Sequence, residues 1–151
     1  MDIDEKRLCS DWLAEFPLLK RHQGGRKLLR VYDPVVFGIE LRKIYSKWYR
    51  PEFIAMNLLS KWKSFNVNTE ILTKKSLQYH IEYDEHAQQY GEAARIMRVC
   101  FPILSSEEVT EQMIVDLYRQ ECERAKAGNP LDIWASLVEI LKYYGLAEEC
   151  A

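Results

Sequence analysis

The run HIEYDEHAQQYGE over residues 80–92 concentrates the side chains best suited to acid–base or metal chemistry: His80, Glu82, Asp84, Glu85, His86 and Glu92. On a strand His80 and Glu82 share a face, and His86 falls one turn into a following helix, so the three could converge on one ion. The spacing matches no H-E-x-x-H zinc helix. Strand ends and helix starts also collect acids simply because carboxylates favour a helix N-terminus, and satisfied or solvated side chains are the expectation here. No metal and no cofactor are expected.

Nucleophiles are as sparse. Cys9, Cys100, Cys122 and Cys150 lie far apart, form no C-x-x-C pair, and have no histidine at zinc-ligand spacing. The first three read as small buried apolar residues and the last as tail. There is no G-x-S-x-G, P-loop or G-x-G-x-x-G pattern, and QGGRK lacks the spacing of a phosphate cradle. Catalysis has no motif behind it, which shifts the expectation to binding.

The chemistry of binding is written most densely in RKIYSKWYR, residues 42–50, where Arg42, Lys43, Lys47 and Arg50 interleave with Tyr45, Trp48 and Tyr49. Although the net charge of the 151 residues is only −2, residues 20–75 hold 13 Lys/Arg against 4 Asp/Glu, and acidic stretches lie on both sides. A basic centre of this kind suits a polyanion or an acidic partner, or pairs internally with the acidic flanks. The candidate binding residues are Arg30, Arg42, Lys47, Trp48 and Arg50. Exposed aromatics on a basic sheet are stacking platforms for nucleic-acid bases, so Tyr45, Trp48, Tyr49 and Trp62 support a nucleic-acid-binding alternative built on residues 20–75. A second candidate surface is acidic: Glu107, Glu108, Glu111, Asp116, Glu121 and Glu123.

Elements must position these groups. Leu8, Trp12 and Phe16 fall at i, i+4, i+8 in a helix over residues 2–16 that Pro17 ends. The pair Gly24-Gly25 marks a turn, after which KLLRVYD and residues 35–42 have strand periodicity, with Gly38 at a bulge or a close approach. RPEFIAMNLL reads as a strand forming a hairpin with its predecessor, NVNTE as a loop, and SLQYHIEY as a further strand. Three helices follow: residues 84–101; one opened by a Ser105/Glu108 capping box and closed at Gly128; and one opened by Asn129-Pro130 and ending near Gly145. Helix, adjacent strands, then helices predicts a single α+β domain over residues 1–151. Its antiparallel sheet has three to four strands packed against about four helices. The other sheet face would carry Arg30, Glu40 and Arg42.

At this size folding buries roughly 68–70% of the unfolded chain's surface, enough for a core without staples. The acidic N-terminus has no apolar signal core and no run of about 18 apolar residues occurs, so a cytoplasmic protein without disulfides or membrane association is expected. The pattern sets no oligomeric state.

The segment LLRVYDPVVFGIELRKIYSKWYRPEF, residues 28–53, resembles small bacterial domains of unknown function, some of them associated with toxin-immunity loci. The resemblance carries no catalytic residue. It implies a cytoplasmic α+β domain that acts by binding a protein partner, an immunity or antitoxin-type inhibitor being one instance.

Overall fold

A computed structural model of the chain describes residues 4–61, 64–124 and 131–146. Its spine is the hairpin of β3 (Val35–Ile44) and β4 (Trp48–Asn57), paired antiparallel from Val35↔Asn57 to Ile44↔Trp48 around a turn at residues 45–47. The strand period of two decides what each side meets. Val35, Phe37, Ile39 and Leu41, with Tyr49, Phe53 and Ala55, face one way and are fully buried.

Helices cover that face. α1 (Glu5–Glu15) buries Leu8, Cys9 and Trp12, as its i, i+4 spacing requires. Residue 101, just past α2 (His86–Cys100), lays its phenyl ring on Phe53 with 4.2 Å between centroids. α3 (Glu111–Arg124) and α4 (Leu131–Tyr143) add Ile114, Tyr118, Leu137 and Ile140 to the same core. The α+β arrangement is therefore the expected one: an antiparallel sheet packed against four helices.

The sheet is larger than expected. β1 (Lys20–Arg21) and β2 (Lys27–Tyr32) precede the spine across the Gly24 turn, where φ is +69°. β5 (Val67–Glu70) and β6 (Ile81–Glu82) both pair with β4, giving a six-stranded sheet in the order β1-β2-β3-β4-β5, with β6 beside the start of β4. NVNTE, expected to be a loop, thus contains a strand: Val67 and Thr69 turn inward and are buried while Asn68 stays exposed. SLQYHIEY, expected to be a strand, is mostly not one. Its alternation belongs to an excursion over residues 71–80, folded back by Thr73 N–H to the Leu77 carbonyl and Tyr79 N–H to the Ile71 carbonyl. Leu77 is left 62% exposed, Tyr79 and Tyr83 pack half-buried against the core, and only Ile81 is fully buried.

Two further corrections concern helix ends. α3 does not use the Ser105/Glu108 box: residues 102–104 form a 3₁₀ turn, and the Thr110 hydroxyl accepts from Met113 N–H at 3.2 Å as the cap. The Gly128 and Asn129-Pro130 boundaries lie outside the described residues.

Gly38 marks a close approach. A Cβ there would sit 1.9 Å from the Leu28 carbonyl oxygen on β2, so any side chain would push the two strands apart. β2 reaches β3 through a cis Asp33-Pro34 turn, to which α4's end is tied by Tyr143 donating to the Asp33 carboxylate.

Candidate functional site

Antiparallel partners share a sheet face, so register places the candidate residues. Arg42 pairs with Arg50, Glu40 with Glu52 and Glu52 with Glu70, all on the face away from the helices. Arg30 pairs with Phe37 and so lies on the helix side, contrary to the expectation that it shares a face with Arg42. There it bonds carbonyl oxygens at Ile103, Ser106 and Glu107, fastening the turn between α2 and α3. Four of the five candidates therefore cluster at the end of the β3–β4 hairpin, and Arg30 is apart from them.

The outer face is neither open nor uniformly basic. At its centre Val36 and Ile54 are buried, and Phe65 lies with its ring 5.7 Å from the Lys27 ammonium. Towards the hairpin end runs a ladder of alternating sign: Lys27–Glu40 at 3.5 Å, Arg42–Glu40 at 3.4 Å, Arg42–Glu52 at 3.5 Å and Arg50–Glu52 at 2.6 Å. Arg50 also donates to Gln78, which donates to Glu70. Glu52 is 2% exposed, and a carboxylate so buried requires the cations around it. The cations Lys27, Arg42 and Arg50 are thus paired within the sheet, by Glu40 and Glu52, which with Glu70 the sequence reading did not mark as site residues.

Beyond the ladder the hairpin turns outward. Tyr45 takes a left-handed conformation, φ +55°, and is 85% exposed. Trp48 is 36% exposed, with its indole edge-on to His80 at 6.1 Å. The Lys47 side chain is exposed and has no ionic partner among the described residues, while its carbonyl accepts from Tyr83 N–H and pins the turn to the segment entering α2. Tyr49, on the opposite parity, is fully buried and is no stacking platform; Trp62 lies outside the described residues.

The acid–base constellation does not converge. His80 meets Trp48 at the surface, whereas His86 is buried between Asp11 and Tyr49, with Nε2 2.9 Å from the Asp11 carboxylate and Nδ1 2.7 Å from the Tyr49 hydroxyl. Trp12 donates its indole N–H to that same hydroxyl at 3.1 Å. With Nε2–H donating to Asp11 and Tyr49 donating to Nδ1, every polar atom of this chain of groups is satisfied. The hydroxyl has no exposure, and burial pushes the Tyr49 phenol far above its ordinary pKa, so it does not serve as a nucleophile. Among the described residues no three His, Cys, Asp or Glu side chains are placed to share a metal. Cys9 and Cys122 are buried, and burial raises both thiols; Cys100 is exposed rather than buried, on the solvent side of α2's last turn, and Cys150 lies outside the described residues.

The acidic helix surface loses one member. Glu121 falls on the inward stripe of α3 with Ile114 and Tyr118, is 3% exposed, and accepts from the Thr69 hydroxyl of β5 at 2.8 Å. Its i+7 spacing from Ile114 is the sequence signal for this placement. No helix among the described residues is long and apolar enough to cross a membrane. Comparison with protein-family models, curated proteins and solved structures yields no match to this chain.

Proposed function

We propose that the chain is a non-catalytic protein-binding domain whose contact surface is the exposed end of the β3–β4 hairpin. In this proposal it is a cytoplasmic inhibitor of the immunity or antitoxin type, covering the active surface of a partner. One observation carries the proposal: Tyr45 and Trp48 stand exposed beside the unpaired Lys47, on a strand end whose Arg42 and Arg50 are held by ion pairs. Aromatics and arginines dominate the energetics of protein interfaces, and side chains already ordered lose little entropy on docking.

The nucleic-acid alternative has less behind it. Glu40, Glu52 and Glu70 sit among the cations of that face and would repel a phosphate backbone, and Tyr49 is closed to bases. Affinity for a polyanion would have to come chiefly from Lys43 and Lys47, and would fall log-linearly with salt.

The test captures partners from lysate of the source organism on immobilised wild-type and Trp48→Ala chains, eluted in salt steps. A stoichiometric protein that survives high salt on wild type, and whose affinity drops about 30-fold on the variant, is expected for an aromatic anchor worth about 2 kcal/mol. Nucleic acid leaving at moderate salt with no stoichiometric protein partner, and lost by Lys47→Ala, would replace the proposal with the alternative.

A further inference from the structure

On the far side of β4 from the ladder's arginines, β5 ends the sheet: it pairs with β4 along one edge, and among the described residues no strand pairs with its other edge. Residues 66–72 all line a cleft of about 590 Å³, a volume typical of ligand-binding sites. Both parities of the strand contribute, so the cleft meets β5 along its edge rather than across a face. Its other wall is Ile96, Phe101, Glu121, Arg124 and Ile133, from the end of α2, from α3 and from the start of α4.

We propose that this cleft binds an extended segment of a partner protein by strand addition, with a basic side chain directed at Glu121. A free strand edge offers unpaired backbone donors and acceptors, and an added strand satisfies them. Glu121 supplies the selectivity. Its Oε2 accepts from Thr69, whereas Oε1, buried and 3.3 Å from the Arg124 guanidinium, accepts no hydrogen bond among the described residues. A buried carboxylate oxygen without a donor is costly, and a ligand N–H aimed at it relieves that cost. Among the described residues the cleft wall carries two carboxylates, Glu70 and Glu121, against one cation, Arg124, whose guanidinium also rests on the Phe101 ring at 5.4 Å. A second cation is therefore complementary.

Pairing geometry then dictates a pattern. The ligand residue opposite Thr69 shares its face and reaches Glu121; those two positions away fall opposite Val67 and Ile71, both buried; those between fall opposite Asn68 and Glu70. The predicted motif is apolar–x–basic–x–apolar. This site is separate from the hairpin surface and does not depend on it.

The experiment titrates the full chain into a fluorescein-labelled peptide of core sequence Val-Thr-Arg-Thr-Val and reads anisotropy, with backbone amide shifts followed by NMR. Saturable binding with shifts concentrated in residues 66–72 is expected. Replacing the peptide arginine by citrulline should weaken it at least tenfold, as should Glu121→Gln, which retains an acceptor for Thr69. Alternate N-methylation of the peptide should abolish binding, and Trp48→Ala should leave it unchanged. The peptide substitutions keep the test valid even if Glu121→Gln fails to fold. No saturable binding, equal binding of the N-methylated peptide, or butylguanidine binding as tightly as the peptide would each overturn strand addition.

Discussion

Gly38 shows how much one hydrogen atom can decide. Its partner across the sheet, Leu29, is held so close that a methyl group at residue 38 would overlap the Leu28 carbonyl at 1.9 Å, and backbone cannot rotate away as a side chain can. Gly38→Ala should therefore cost about 3 kcal/mol, at the upper end of overpacking penalties, because β2 must shift as a unit. Urea unfolding measures this; a loss under about 1 kcal/mol would mean that β2 yields easily. Arg30 and Arg42 make a complementary point about residue type. Both are strand arginines of similar exposure to the eye of composition, yet one binds three carbonyls under the helices and the other two carboxylates on the outer face. The difference was available in the sequence: if Asp33-Pro34 is a two-residue turn, Arg30 must face Phe37. Composition alone does not contain that step.

Elements were legible in proportion to how many of their own residues face the core. α1, β3 and α2 each repeat their period several times and lie where periodicity predicts; β4, apolar on both parities and open to a short buried helix as well, was readable as a strand from Pro51 and the turn before it. The start of α3 illustrates the limit. Ser105 and Glu108 have capping-box spacing, but the 3₁₀ turn at residues 102–104 uses up that stretch, and Thr110 makes the bond instead. Thr110→Ala should thus cost about 1 kcal/mol, whereas Ser105→Ala should stay within about 0.5 kcal/mol. Matched thermal melts decide between them, and reversed losses would return the cap to Ser105. The same limit hid β5, which turns only Val67 and Thr69 inward and offers too few repeats for a period to show. It also made residues 76–83 look like a strand, since Leu77, Tyr79, Ile81 and Tyr83 alternate although only Ile81 is fully buried. For the candidate site the consequence was direct. The hairpin end was readable because β3 and β4 were; the ladder's Glu52 and Gln78, and the cleft beside β5, required a register that no local pattern carries.

At the scale of the whole molecule, two tyrosines are fully buried in the core, and this makes stability depend on alkaline pH. Tyr49 links α1 and α2 to β4 through Trp12 and His86, and Tyr118 lies on the buried face of α3; neither has any exposure. Burial raises both phenols well above their ordinary value, because the interior disfavours the phenolate. In the unfolded chain each ionises near pH 10, so above that pH the unfolded state releases protons that the folded state retains. Their contribution to stability is complete below about pH 10 and is lost as pH rises toward the raised folded values. Each should remove about 1.4 kcal/mol per pH unit in that window, a substantial share of the 5–15 kcal/mol typical of a domain. Lysine titration overlaps this range, so the diagnostic is a difference between chains. Tyr118→Phe is suited to it, since the Tyr118 hydroxyl has no hydrogen-bond partner and its removal should be near neutral at pH 7. Urea unfolding at pH 9, 10 and 11 should show the variant losing less stability than wild type by about 1.4 kcal/mol in total across that range, most of it above pH 10. Parallel curves would mean that Tyr118 ionises in the folded protein at the same pH as in the unfolded chain.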